Sequence, residues 1–490
     1  MRARSFVVAA LALLAAGCVL GPNYVRPPVV APDAYKEVGG WLHAEPEDGR
    51  PRGPWWDVYG DLELSAIVTQ VSVSNQTLAA AETQFRQARA LVREARASYF
   101  PQLTIGVGVQ RAHFPNTASS VTSNLGTVAP PRGTTSSFTL PLDASWEPDL
   151  WGRVRRSVES NQAGAQASAA DRENVRLTLQ AEVVQDYFQI RAIDAQSRLL
   201  DETVAAYTRS LQLTRNRFAA GVASRVDVAQ AQTQLTTTQA QAIDLGVQRS
   251  ALEHAIAVLI GRPPAEFSVP VMPLQATPPA IPVGVPSELL QRRPDVAASE
   301  RRVAAANAQI GVATAAFFPS VTLSASAGFQ STGIASWLTA PSHFWSVGAS
   351  VSETVLDGGF RRAQSDQARA AYDGTVATYR QTVLSAFEEV EDNLAALGIL
   401  EREAAAQDEA VKSAEEVVTL TLNQYRAGTV SYLNVVVAQA TALTNEVNAV
   451  GIRGRRMIAS ALLVKALGGG WRAGDLPSAR DVTRRCTESC

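Results

Sequence analysis

The chain has 490 residues, of which 46% are hydrophobic and 18% charged, and its formal net charge is −2. A chain of that length and composition buries a large core and is not disordered. Its balanced charge gives no electrostatic case for nucleic-acid binding.

Arg2 and Arg4 precede an apolar run from Phe6 to Ala16 that ends in LLAAGC. A basic start, a short apolar stretch and small residues make an export signal, placed at 1–17. The run is too short for a membrane helix, which needs roughly 20 apolar residues. Cys18 follows the small residues directly and resembles the lipidated cysteine of a bacterial lipobox; the other reading is an ordinary signal peptide with an incidental cysteine. The remaining cysteines, Cys486 and Cys490, fall in a tail at 469–490; two thiols four apart in an oxidising compartment can pair or bind metal, and the other reading is a frayed tail in which they have no role.

Several short stretches occur twice. GVASRVDVAQAQ at 221–232 returns as GTVSYLNVVVAQ at 428–439, SYFPQL at 98–103 as AFFPSV at 316–321, and LWGRVRR at 150–156 as LDGGFRR at 356–362. Such spacing marks a tandem duplication. The first copy is placed at 61–262 and the second at 287–468, after a lipidated extended segment at 18–60. A linker at 263–286 separates the copies, within a stretch holding Pro263, Pro264, Pro278 and Pro279; so dense a proline run reads as extended.

Each copy reads as helix, strand pair, very long helix, turn and helix. The strand pairs are expected at about 102–148 and 319–356, joined in the first copy by a polar connection at 115–136. No proline interrupts 149–262 or 342–476. In the second copy Val376, Val383, Val390, Leu397, Ala404, Val411, Val418 and Tyr425 recur every seventh residue, and Val183 and Ile190 stand at matching positions of the first copy, the period of helices packed as coiled coils. The turns at 221–224 and 428–431 then fold each copy into a helical hairpin. Gly221 and Gly428 suit the left-handed position after a helix end. Ser224 and Ser431 suit the N-cap, with Asp227 and Asn434 three residues on.

The strand segments alternate strictly: Phe138, Leu140, Leu142, Ala144 and Trp146 against Thr139, Asp143, Ser145 and Glu147, and likewise Val321, Leu323, Ala325, Ala327 and Phe329. Period two over about ten residues fits strands with lipid on one side and water on the other; a half-buried sheet of a soluble domain gives the same pattern. Four strands cannot close a barrel and lipid does not tolerate open edges, so a membrane reading requires several copies. Two would give eight strands, three twelve and four sixteen.

GCVLGPNYVRP at 17–27, WWDVYGDLELSAIVTQVSVSN at 55–75 and above all VPSELLQRRPDVAASERRVAAANAQIGVATAAFFPSVTL at 285–323 resemble the TolC-like outer-membrane efflux proteins, in their OprM/NodT-type lipoprotein branch. The resemblance covers nearly the whole chain. It implies a mainly α fold with a transmembrane β part: a homotrimer whose long helices form a tunnel across the periplasm, continuous with a twelve-stranded outer-membrane barrel to which each chain gives four strands. It further implies an equatorial belt, a lipid anchor on Cys18 with no other cofactor, and partners in a periplasmic adaptor and an inner-membrane pump of the resistance-nodulation-division type. The chain would be a channel for drugs or other small molecules, not an enzyme, without nucleic-acid or metal sites. By the same resemblance the periplasmic gate and adaptor-docking turns comprise Gly221, Ser224, Asp227, Gly428, Ser431, Leu433, Asn434 and Val437. Val437 and Ala440 replace the Asp and Arg often found in the family, so closure would rest on apolar contact.

Rival readings are a type I protein-secretion duct, which shares the architecture, and a periplasmic coiled-coil adaptor or scaffold lipoprotein, which needs no alternating strands. Glu388, Glu389, Glu391 and Asp392 read either as part of an electronegative lumen or as a solvated helix face. The four histidines have no metal-ligand spacing.

Overall fold

The computed structural model describes residues 19–37, 54–115, 121–123, 126–128, 133–274, 276–281 and 286–484. Cys18, Cys486 and Cys490, with the export signal, lie outside the described residues. The helices are α1 Leu62–Ser74, α2 Gln76–Ala97, α3 Arg153–Ala219, α4 Arg225–Leu259, α5 Pro286–Arg292, α6 Pro294–Ala315, α7 Phe360–Arg426 and α8 Tyr432–Ala466. The strands are β1 Gln102–Ile105, β2 Gly108–Phe114, β3 Val121–Ser123, β4 Gly126–Val128, β5 Gly133–Trp146, β6 Ser320–Ser331 and β7 His343–Ser352.

Helix lengths repeat with the sequence. α3 and α7 each have 67 residues, α4 and α8 each 35, and α2 and α6 each 22. At about 1.5 Å per residue the long helices run roughly 100 Å. Aspartates start several of them. Asp61 accepts from the N–H groups of Glu63 and Leu64 at the head of α1, both at 3.0 Å. Asp149 accepts from those of Val154 and Arg155 at the head of α3, at 3.0 and 2.9 Å. The stretch 55–75 folds as a 3-10 turn, Trp55–Tyr59, followed by α1. α1 stops at Asn75, whose side chain caps α2 through the N–H of Leu78 at 2.8 Å.

Two large apolar cores sit near the middle of the long helices. Leu64, Val68 and Val71 of α1 pack with Tyr187 and Ile190 of α3 and Ile256 of α4. Val296 and Val303 of α6 pack with Tyr379, Val383 and Val390 of α7 and Ile452 of α8. The heptad positions Val183, Ile190, Val383 and Val390 are fully buried. Near the turns the copies differ: Tyr425 of α7 is 4% exposed, whereas Phe218, which stands at the matching place in α3, is 46% exposed.

Extended segments strap these cores. Arg156 donates to the carbonyls of Leu20 and Gly21 at 3.0 and 3.1 Å, and Asn307 to that of Pro22 at 3.0 Å. The linker after α4 is fixed by Arg191 to the Pro270 carbonyl at 2.6 Å and by the Met272 N–H to Asp194 at 3.0 Å. The tail returns to α2, where Val482 packs against Phe85 and Val92. The acidic cluster on α7 belongs to the same strapping. Glu389 pairs with Arg293 at 2.7 Å, and the Glu391 carboxylate accepts the N–H groups of Lys36 and Glu37 at 2.7 and 3.2 Å. Both carboxylates are thus engaged by segments distant in sequence.

Candidate functional site

The two turns end α3 and α7 in the same way. Gly221 and Gly428 have φ of 75° and 79°, a region that costs other L-residues roughly 1–2 kcal/mol. The Gly221 N–H bonds the Phe218 carbonyl at 2.9 Å and the Val222 N–H that of Arg217 at 2.8 Å. In the second turn the Gly428 and Thr429 N–H groups bond the carbonyls of Tyr425 and Gln424, both at 3.0 Å. Both are Schellman motifs, closed by the residue that can enter that conformation.

Beyond the glycines the copies diverge. Ser224 and Asp227 form a full capping box: the Asp227 N–H donates to Ser224 Oγ at 3.1 Å and the Ser224 N–H to the Asp227 carboxylate at 2.8 Å. Ser431 stands at the N-cap of α8, but its side chain makes no capping bond, contrary to the sequence expectation. The Asn434 N–H, which would donate to a capping Ser431 Oγ, instead bonds the Ser431 carbonyl at 3.2 Å.

The two hairpins are bound to each other just above the turns by residues that the sequence reading did not single out for this. Tyr425 and Tyr432 meet edge to face with ring centroids 5.3 Å apart. Tyr432 OH hydrogen-bonds Ser210 Oγ of α3 at 3.0 Å, and the Arg217 guanidinium lies over the Tyr425 ring at 4.6 Å. Tyr207, Leu211 and Leu235 complete the cluster. Tyr425 closes the heptad series and Tyr432 stands seven residues later; that continuation was the available signal. Leu433 and Val437, one helical turn apart, are not in this cluster and are 50% and 58% exposed within the chain.

At the opposite end β1 and β2 both pair with β5, which pairs with β6, which pairs with β7, all antiparallel. The register sets Leu142 opposite Ala327, Ala144 opposite Ala325 and Trp146 opposite Leu323, then Ala325 opposite Val347 and Ala327 opposite Trp345. One face is therefore apolar, and it is bare: Ile105, Val107, Trp345, Val347 and Val351 are each at least 70% exposed. The other face carries the ladder of Asp143 with Ser326 and Ser145 with Ser324. Strand β5 begins at Gly133, inside the stretch expected as a polar connection, because Thr134, Thr135 and Ser136 extend the ladder to His113, Ala112 and Arg111. A further short hairpin, β3 with β4, lies in that stretch too. Among the described residues the outer edges of β1, β2 and β7 are unpaired.

The described chain starts at the junction of sheet and helices, where the Leu20 N–H bonds the Trp151 carbonyl at 3.3 Å. Among the described residues no helix is long and apolar enough to cross a membrane, and no group of three His, Cys, Asp or Glu side chains is placed to hold a metal ion.

Comparison with known proteins agrees with this geometry. The profile of the outer membrane efflux protein family matches residues 67–262 and again 285–469. The pyoverdine export outer membrane protein OpmQ of Pseudomonas aeruginosa is 32% identical over 468 residues, covering 94% of this chain and 96% of that protein. The probable efflux pump outer membrane protein TtgC of Pseudomonas putida is 31% identical, with 95% of each chain covered. Among solved structures, the outer-membrane channel OprN superposes with a TM-score of 0.84 at 30% identity, covering 93% of this chain and 100% of that one. The open state of the Neisseria gonorrhoeae MtrE outer membrane channel gives 0.79 at 26%, covering 93% and 99%. A bare apolar sheet face, two 100 Å helices and these relatives agree: the chain is an outer-membrane efflux channel and belongs to the outer membrane efflux protein family.

Proposed function

We propose that three copies of the chain assemble into the exit duct of a tripartite system, with a periplasmic adaptor below and an inner-membrane resistance-nodulation-division pump supplying small molecules. The open-edged sheet carries this reading. An apolar face requires lipid and unpaired edges do not persist there, so β7 of one copy pairs with β1 and β2 of the next until the barrel closes. The five strands count as four around the barrel, since β1 and β2 lie end to end along β5; three copies give twelve. The long helices continue below as a tunnel.

In this duct the turns are the periplasmic end. Gly221, Ser224, Asp227, Gly428, Ser431 and Asn434 shape the six hairpin tips on which the adaptor docks, and Leu433 and Val437 narrow the aperture by apolar contact. The Tyr425–Tyr432 cluster holds neighbouring hairpins together in the closed state. Cys18 carries the lipid anchor, a reading supported by the next residue, Val19, which lies beside Gly152 where the sheet meets α3. Drugs are the cargo class the family resemblance favours.

The test is the cross-linked mass of the protein extracted from purified outer membranes of cells labelled with radioactive palmitate. A labelled species near three times the 52.1 kDa chain is expected. A monomer, or label retained by Cys18→Ser, overturns the corresponding part of the reading.

A further inference from the structure

The two hairpin tips consist of the last turns of α3 and α7 and the first turns of α4 and α8. Residues 203–243 and 417–445 hold five arginines, Arg209, Arg215, Arg217, Arg225 and Arg426, no lysine, and a single acidic residue, Asp227. The Asp227 carboxylate is engaged in the cap of α4, accepting the N–H and the hydroxyl of Ser224 at 2.8 and 2.9 Å. The next carboxylates on α7, Glu416 and Glu415, begin ten residues above Arg426, about 15 Å at ~1.5 Å per residue.

The arginines have no carboxylate partners. Arg209, Arg215, Arg225 and Arg426 are exposed. Arg215 donates to Gln232 Oε1 at 2.9 Å, and Arg217 donates to the Arg426 carbonyl at 3.4 Å while lying over the Tyr425 ring; these partners are neutral. Among the described residues the ion pairs nearest the tips, Arg198 with Glu202 and Lys412 with Glu409, stand higher on α3 and α7. Assembly does not cancel the charge. Each copy brings the same five positive groups and the same engaged carboxylate, so the meeting of like tips accumulates the excess.

We propose that the periplasmic aperture selects anions: the arginine-rich tips draw small anions, including organic carboxylates and phosphates, into the opening and repel cations of similar size. This rests on the reading that the turns form the aperture of an assembled duct, and it adds the class of solute. Where the tips converge, the wall is one helix thick, about 10–12 Å. A guanidinium on either side of it therefore stands near one Debye length, about 10 Å in 0.1 M salt, from the axis. A narrow opening between low-dielectric walls focuses such a field, and rings of Arg or Lys select anions in pores.

The experiment is the reversal potential of the purified, assembled protein in a planar bilayer under a ~10-fold KCl gradient. Its sign should show chloride favoured over potassium, by roughly 10-fold where the dilute side is about 0.01 M and by less than about 2-fold near 1 M, where the Debye length falls to about 3 Å. The triple variant Arg209→Gln, Arg225→Gln, Arg426→Gln should reduce the preference to about 2-fold or less, and the same three changed to Glu should reverse its sign. Arg380→Gln, on α7 about 70 Å from the tip, should keep the parent ratio. A chain that does not assemble overturns the duct reading and this proposal with it. An assembled channel without anion preference, or with a preference that the tip variants leave unmoved, overturns this proposal alone.

Discussion

If the tyrosine cluster holds the hairpins closed, its parts should have separable effects. Tyr432→Phe removes only the hydroxyl bonded to Ser210 Oγ at 3.0 Å, a net loss of about 1 kcal/mol per chain. Tyr425→Leu keeps most of the apolar volume but removes the ring pair at 5.3 Å and the Arg217 contact at 4.6 Å, about 1–2 kcal/mol per chain. In a trimer whose tips open together the totals are about 3 and about 3–6 kcal/mol. At 1.4 kcal/mol per tenfold, the ratio of open to closed rises about 10²-fold and about 10²- to 10⁴-fold. Tyr425→Phe is the control, because the Tyr425 hydroxyl is buried without a partner and its loss costs nothing. Planar-bilayer conductance of the purified proteins reads the effect directly, and vancomycin entry into cells making them reads it in the membrane. Conductance should rank Tyr425→Leu above Tyr432→Phe, with Tyr425→Phe at the parent value. Variants that assemble normally yet all conduct like the parent would show that this contact does not hold the closed state.

The two N-caps should respond unequally. Ser224→Ala breaks the capping box with Asp227 and should cost about 1 kcal/mol, whereas Ser431→Ala removes no capping bond and should cost a few tenths at most; equal shifts in thermal midpoint would contradict the asymmetry. Burial, reinforced by the neighbouring Glu182, raises the Asp186 carboxyl to about 6. A folded value above the unfolded one means that stability is full below about pH 4 and is lost as pH rises through about 6. Asp186→Asn should therefore stabilise the chain by about 1–2 kcal/mol at pH 8, allowing for screening at a partly exposed site, and by nothing at pH 4; the same gain at both would refute ionisation as the cause.

Much of the fold was legible because it repeats at short range. Heptad spacing, the absence of proline and the glycine at each turn report local backbone preference, and they give the paired helices of 67 and 35 residues. Strict alternation reports the pleat, and it gives the face on which Ile105, Val347 and Val351 lie bare. The resemblance of 285–323 to a known family, and not periodicity, supplied the expected transport role.

Long-range geometry alone decided the rest. Ser224 and Ser431 look alike as N-caps, but only the carboxylate of Asp227 completes the reciprocal bond. Glu389 and Glu391 look like a charged helix face until Arg293 at the head of α6 and the N-terminal segment arrive against them. Tyr432 and Ser210 are 222 residues apart, and Arg217 and Arg426 meet from two different helices. A sequence fixes which face of each helix is apolar or charged, because that depends on neighbours three and four residues away. Which faces then meet depends on packing among segments hundreds of residues apart, and that is where the tip contact and its cluster of arginines arise.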